Sequence, residues 1–240
     1  MQTITSKATV KEIVARIVKN ADNITVLAIS TDKYLLQEKI KFPLLEFATL
    51  EILKHVNKKD YIAFADAIIL KKRLGGNVLA GIILQELLKD SVVLSFGKAS
   101  EYMVDGNEWY VCDIIGERVM GHGLLNYPDK AIPLLKELTK NDNKWPVRSV
   151  GVAVHYATKK GLPKPFVEQM FLLLLTLSGT TEFHTKTGTG WGAKTVAKFY
   201  PDLIEKHHDK IYTDEVRQWF KTKVGIGLSR KDKYATRYRG

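Results

Sequence analysis

Apolar residues recur at helical spacing along almost the whole chain, and this period limits the fold more than any other feature. Leu44, Phe47, Ala48, Ile52 and Leu53 mark one such face, and Ile62, Phe64, Ala65, Ile68 and Ile69 mark the next. Turn signals interrupt the pattern at Gly75-Gly76, Asp105-Gly106-Asn107, Asn126-Tyr127-Pro128-Asp129, Asn141-Asp142-Asn143, Gly161-Leu162-Pro163 and Pro201-Asp202. The pieces between them have the length of ordinary globular helices, about 12 to 18 residues. Two segments, 24–29 and 92–96, carry the β-branched and aromatic composition of strands. They are too few and too far apart to build a sheet, so they read as helical or irregular, and the expected class is all-α.

Consecutive helix pairs at a spacing of roughly 35 to 45 residues suit a degenerate α-solenoid of the HEAT type. An irregular helical bundle satisfies the same period. The expected organisation is a single helical-repeat domain over residues 1–228, followed by a basic tail at 229–240.

Charge narrows the partner. The chain has 37 Lys and Arg against 26 Asp and Glu, a net charge of +11, and a pI near 9.5. Such a balance favours a phosphate-bearing partner, because released counterions drive binding whatever the sequence. Cys112 is the only cysteine, which excludes an intramolecular disulfide or a multi-cysteine zinc site. Residues 1–20 carry charges at amphipathic spacing and do not read as a signal peptide, and the apolar run Met170 to Leu175 is far too short to cross a bilayer. A cytoplasmic protein with no membrane partner is expected.

The chemistry concentrates around three of the four tryptophans. Trp109 and Asp113 lie one turn apart in a helical segment, so an indole face and a carboxylate meet one region of space. A buried structural anchor is the alternative for such a pair. Trp145-Pro146-Val147-Arg148 follows the turn at Asn141–Asn143, which places Arg148 in the first turns of a helix, against the macrodipole. A phosphate or a carboxylate explains that position, and Asp113 is one possible partner. Gly188-Thr189-Gly190 precedes Trp191, Gly192 and Lys194; the glycines fit either close backbone approach to a ligand or a plain tight turn. The tail residues Arg230, Lys231 and Lys233 are interleaved with tyrosine and form either an arm along phosphates or a solvated end.

Trp109 with Asp113, Trp-Pro-Val-Arg at 145–148 and Gly-Trp-Gly-Ala-Lys at 190–194 together resemble the AlkD-like family of DNA alkylation repair glycosylases. The similarity is clearest from about Trp109 to Pro201. It implies a right-handed α-solenoid of HEAT-like repeats with a basic concave face. It also implies a monofunctional glycosylase that removes N3- and N7-alkylated purines from duplex DNA without metal or organic cofactor. Asp113 is then the catalytic carboxylate, Trp109 and Trp191 flank the lesion nucleotide, and Arg148 contacts the nearby backbone. Trp145, Lys186, Lys194, Arg230, Lys231 and Lys233 complete the expected DNA-binding set, on a protein acting as a monomer.

Other motifs are weaker. His122, His155, His184 and the pair His207-His208 lack metal-site spacing and read as surface or helix-terminal residues, so no metal site is expected. Gly121-His122-Gly123 reads as a loop or helix end; no glycine-rich segment ends in the Gly-Lys-Ser/Thr of a nucleotide-binding loop, so no nucleotide cofactor is expected. Two rival functions fit the same composition. One is a noncatalytic binder of DNA structures whose acid is recruited into an ion pair. The other is a helical scaffold for a protein partner.

Overall fold

The computed structural model describes residues 3–230, so Lys231 and Lys233 of the basic tail lie outside the described residues. The chain forms two compact units, Met1–Tyr102 and Met103–Gly240.

In the first unit, β1 (Thr3–Ile4) and β2 (Lys39–Ile40) make a two-residue parallel bridge with Thr3 opposite Lys39. The remainder is helical: α1 (Lys7–Ile17), α2 (Ile24–Thr31), α3 (Phe42–Leu53), α4 (Tyr61–Ile69), α5 (Leu74–Leu87) and α6 (Val92–Gly106), whose last turn belongs to the second unit. Ser6 and Asn23 start α1 and α2 by accepting from the amides of Thr9 and Val26, each at 3.1 Å. Each helix then buries one stripe, such as Val10, Val14 and Ile17 on α1 and Phe64, Ala65 and Ile68 on α4. Packing links α1 with α3, α2 with α4, and α5 with both α3 and α4. The Tyr102 hydroxyl donates to Asp66 Oδ1 at 2.7 Å and Lys98 pairs with the same oxygen at 3.0 Å, which ties α6 to α4. Burial, and then Asp66, hold the Tyr102 phenol well above its ordinary pKa.

The second unit contains α7 (Trp109–Gly116), α8 (His122–Asn126), α9 (Pro128–Leu138), α10 (Lys144–Lys160), α11 (Lys164–Thr176), α12 (Phe183–Phe199), α13 (Pro201–Lys206), α14 (His208–Ile211) and α15 (Gln218–Leu228). Both segments with strand composition are helical, as α2 and the start of α6. Boundary residues act where the sequence places them. Asn143 caps α10 by accepting from Trp145 N at 3.0 Å, and Gly161 ends the same helix with a φ of 98°.

Two glycine segments differ from expectation. Gly121-His122-Gly123 is no loop, because a π-helical turn at Glu117–Gly121 joins α7 to α8 without a break. A Cβ on Gly121 would stand 2.7 Å from Tyr156 Cβ, so this glycine lets the run lie against α10. Gly188-Thr189-Gly190 likewise lies in the middle of α12. A Cβ on Gly151 of α10 would stand 2.1 Å from the Gly188 carbonyl oxygen, and one on Gly192 would stand 2.8 Å from the Gly151 carbonyl oxygen. The glycines let two helix backbones touch, which is neither of the uses read from the sequence.

Candidate functional site

Arg148 joins three helices. Its Nε and Nη2 donate to Oδ1 and Oδ2 of Asp113 on α7, both at 2.9 Å, in a bidentate pair. Its Nη1 donates to the His184 carbonyl at 3.1 Å and to Thr187 Oγ1 at 2.5 Å, both at the start of α12. Arg148 is 7% exposed, and a Cβ on Gly188 would stand 2.7 Å from its Cγ. The arginine expected to reach the DNA backbone is therefore turned inward, with its fork spent on holding the carboxylate. Thr187 hands the contact on, donating to the His184 carbonyl at 2.9 Å.

Asp113 keeps 18% of its side-chain surface exposed, so the acid paired with Arg148 is not fully enclosed. Trp109 stands one turn earlier on the same face of α7 and is 53% exposed, with Tyr110 edge-on at 5.9 Å. Trp191 stands one turn beyond Thr187 on α12 and is half-buried. The ion pair thus joins the helix that carries the exposed Trp109 to the helix that carries the half-buried Trp191.

What backs Trp191 is His155. The two rings stack at 3.9 Å with 24° between their planes. Thr195 Oγ1 donates to the Trp191 carbonyl at 2.9 Å and lies 2.7 Å from His155 Nδ1. With its proton used on the carbonyl, the hydroxyl accepts from the ring, which assigns the Nδ1–H tautomer. Burial, and then Lys159, Lys194 and Lys198, lower the His155 pKa to about 3, so the stacked ring is neutral. The sequence reads this histidine as a surface or helix-terminal residue; it lies instead inside α10, half-buried against Trp191. Its spacing from Arg148, two turns along α10, was the available signal that it shares the same helix face.

Trp145 is not at the surface. It is 2% exposed, its Nε1 donates to Asn107 Oδ1 at 2.8 Å, and its ring lies 4.5 Å from His184. Asn107 has a φ of 47°, in the left-handed region that asparagine tolerates best after glycine. Cys112 Sγ adds a contact of 3.3 Å to the Trp145 carbonyl, and burial, then Asp113, push this thiol far above its ordinary range. The expected DNA contact at Trp145 gives way to a packing role that fixes α7, α10 and α12 to one another.

The start of α12 is set by Glu182, which accepts from His184 N at 3.0 Å and Thr185 N at 2.6 Å. Burial pushes this carboxyl up, but the two amides outweigh it and hold it below its usual value. Lys186 lies 5.9 Å from the ring of the exposed Phe183. Lys194 is half-buried on α12, and Arg230 is exposed just past α15. Among the described residues no group of His, Cys, Asp and Glu could hold a metal ion. Among them, too, no helix is long and apolar enough to cross a membrane. His207 stands at the junction of α13 and α14, helix-terminal as one of the two expectations has it, and is buried and bonded to Glu168 Oε1 at 2.6 Å.

The family described as DNA alkylation repair enzyme matches residues 40–220, a span that contains Asp113, Arg148 and all the tryptophans of this site. No curated protein and no solved structure matches the chain. Because the match covers most of its length, the chain belongs to the DNA alkylation repair enzyme family.

Proposed function

We propose that this protein is a monofunctional DNA glycosylase that hydrolyses the N-glycosidic bond of positively charged N3- and N7-alkylated purines in duplex DNA. The observation that carries the reading is the Asp113 carboxylate, fixed by the Arg148 fork, still partly exposed, and one helical turn from the exposed Trp109. In this reading the HEAT-like repeats form a right-handed solenoid that carries the duplex on a basic concave face, and the monomer is the working unit. The packing of alternate helices in the first unit supports such stacking.

The chemistry asks little of the protein beyond electrostatics. Alkylation at N3 or N7 makes the purine cationic, so the bond electrons leave with the base and neutralise it, and no general acid is needed. The sugar left behind develops oxocarbenium character, which a fixed carboxylate stabilises. Water then adds at the anomeric carbon and gives up a proton, with Asp113 placed to orient it, leaving an abasic site. Trp109 and Trp191 offer ring faces to the electron-poor nucleotide, each contact being worth about 0.5 to 2 kcal/mol depending on desolvation. His155 covers one face of Trp191, so the indole presents a single face to the lesion.

The bidentate pair also favours a second reading, a noncatalytic binder of DNA structures in which Arg148 neutralises Asp113 for good. Release of 7-methylguanine and 3-methyladenine from methylated duplex separates the two. The glycosylase reading expects release by the wild type above the spontaneous rate, and loss of about 100-fold or more in Asp113→Asn. Asparagine leaves Arg148 short of an anionic acceptor, so urea unfolding of the variant must show a folded protein at the assay temperature. Wild-type protein that binds duplex and releases nothing rejects the glycosylase.

A further inference from the structure

The contact between α12 and α15 brings two lysines together at the turn of α12 that carries Trp191. A Cβ on Gly190 would stand 2.8 Å from Lys223 Cγ and 3.4 Å from its Cδ and Cε. The methylene stem of Lys223 therefore lies across α12 at the residue before Trp191. One turn further along both helices, a Cβ on Gly227 would stand 2.4 Å from the Lys194 carbonyl oxygen. The pairs Gly190 with Lys223 and Lys194 with Gly227 run in the same direction, so both lysines lie on the seam. Arg230 follows just past the end of α15.

Among the described residues no carboxylate pairs with Lys194, Lys223 or Arg230, whereas Lys98, Lys140, Lys164 and Lys206 each have at least one. Burial lowers the Lys194 ammonium, and Lys223, Arg230 and Lys198 press it lower still. Gathering like charges on a half-buried seam costs stability unless an anion joins them. A cationic purine cannot be what they face, since the same repulsion applies. In a nucleic-acid strand seated at Trp191, the neighbouring anion is the phosphodiester.

We propose that Lys194, Lys223 and Arg230 form a binding site for a backbone phosphate beside Trp191, with Lys223 seated for that contact by Gly190. The proposal rests on the reading of Trp191 as facing a nucleotide, and it adds Lys223, which no sequence motif marks. It is tested with a fluorescein-labelled undamaged duplex, measuring Kd between 50 and 200 mM NaCl for wild type, Lys223→Gln, Lys194→Gln, Lys223→Arg and Lys140→Gln. Each lost phosphate contact makes the slope of log K against log salt shallower by about 0.9. Lys223→Gln and Lys194→Gln are expected to show that loss, Lys223→Arg to keep the wild-type slope, and Lys140→Gln, in the turn after α9, to leave it unchanged.

A wild-type slope in folded Lys223→Gln overturns the proposal. Should that variant not fold, a wild-type slope in Lys194→Gln overturns it instead. Protein that shows no duplex binding overturns it as well. Base release plays no part in the measurement. Wild type that binds undamaged duplex with the expected slopes but frees no alkylpurine removes the glycosylase and leaves this site; unchanged slopes with normal release do the reverse.

Discussion

Replacing Gly151 with alanine should destabilise the second unit, although alanine is the better helix former. A methyl carbon needs about 3.3 Å from a carbonyl oxygen, and the new Cβ would stand 2.1 Å from that of Gly188. The two helices must therefore part by about 1.2 Å along that line. The Arg148 Nη1 contact to Thr187, 2.5 Å in the native protein, would stretch beyond hydrogen-bond range. Overpacking contributes about 1 to 3 kcal/mol, and the lost charge-assisted bond about 1.5 to 3 kcal/mol. Helix propensity returns about 1 kcal/mol. A net loss of about 1.5 to 5 kcal/mol follows, a large share of the stability of a typical domain. Urea unfolding followed by tryptophan fluorescence reads it cleanly, since all four tryptophans belong to the second unit. Gly225→Ala in α15 is the control of opposite sign: its Cβ would meet no atom within 4 Å, so the variant should gain about 0.5 to 1 kcal/mol. If Gly151→Ala is as stable as wild type, or moves in the same direction as Gly225→Ala, the backbone-contact argument is refuted.

Arg148→Ala should cost about 3 to 5 kcal/mol by leaving the Asp113 carboxylate unpaired in a largely buried setting. Its salt dependence of duplex binding should match wild type at temperatures where it is folded; a slope shallower by about 0.9 would instead make Arg148 a phosphate contact. His155 supplies a pH dependence of defined sign. Its folded pKa, about 3, lies below the unfolded value near 6.5, so the unfolded chain takes up the proton first as pH falls. Stability is full above pH 6.5 and declines below it, by about 2 kcal/mol between pH 7 and 5. His155→Phe keeps a ring against Trp191 and should lack that part of the decline, and equal pH profiles for the two proteins would show that His155 is not buried neutral.

The helical class, the boundaries at Asn143 and Gly161 and the one-turn spacing of Trp109 and Asp113 were legible because each is a local property of the backbone. The possible pairing of Arg148 with Asp113 was legible too, since a cation placed against the helix dipole calls for an anion. The glycines of α12 were not. Local propensity places Gly-Thr-Gly outside helices, and only contact with Gly151, far away in sequence, makes the absence of side chains favourable there. Burial of Trp145 and the stack of His155 on Trp191 were hidden for the same reason, as both depend on which faces of α10 and α12 meet. Lys223 was invisible because nothing near it in sequence records that its stem lies over Gly190.

The contact of α10 and α12 also decides how the candidate site can move. Where side chains separate two helices, rotamer changes let one slide on the other; here a carbonyl of one helix rests against the α-carbon of the next, and no soft layer intervenes. The inner turns of α12, buried from Gly188 to Gly190 and again from Gly192 to Ala193, can release their amide protons to solvent only when the whole unit opens. Hydrogen exchange in those turns would therefore run at the slow global limit. The carboxylate and the indole that flank the contact are then carried by a frame with one shape, and adaptation to a bound duplex falls to the exposed Trp109 ring and to the DNA itself.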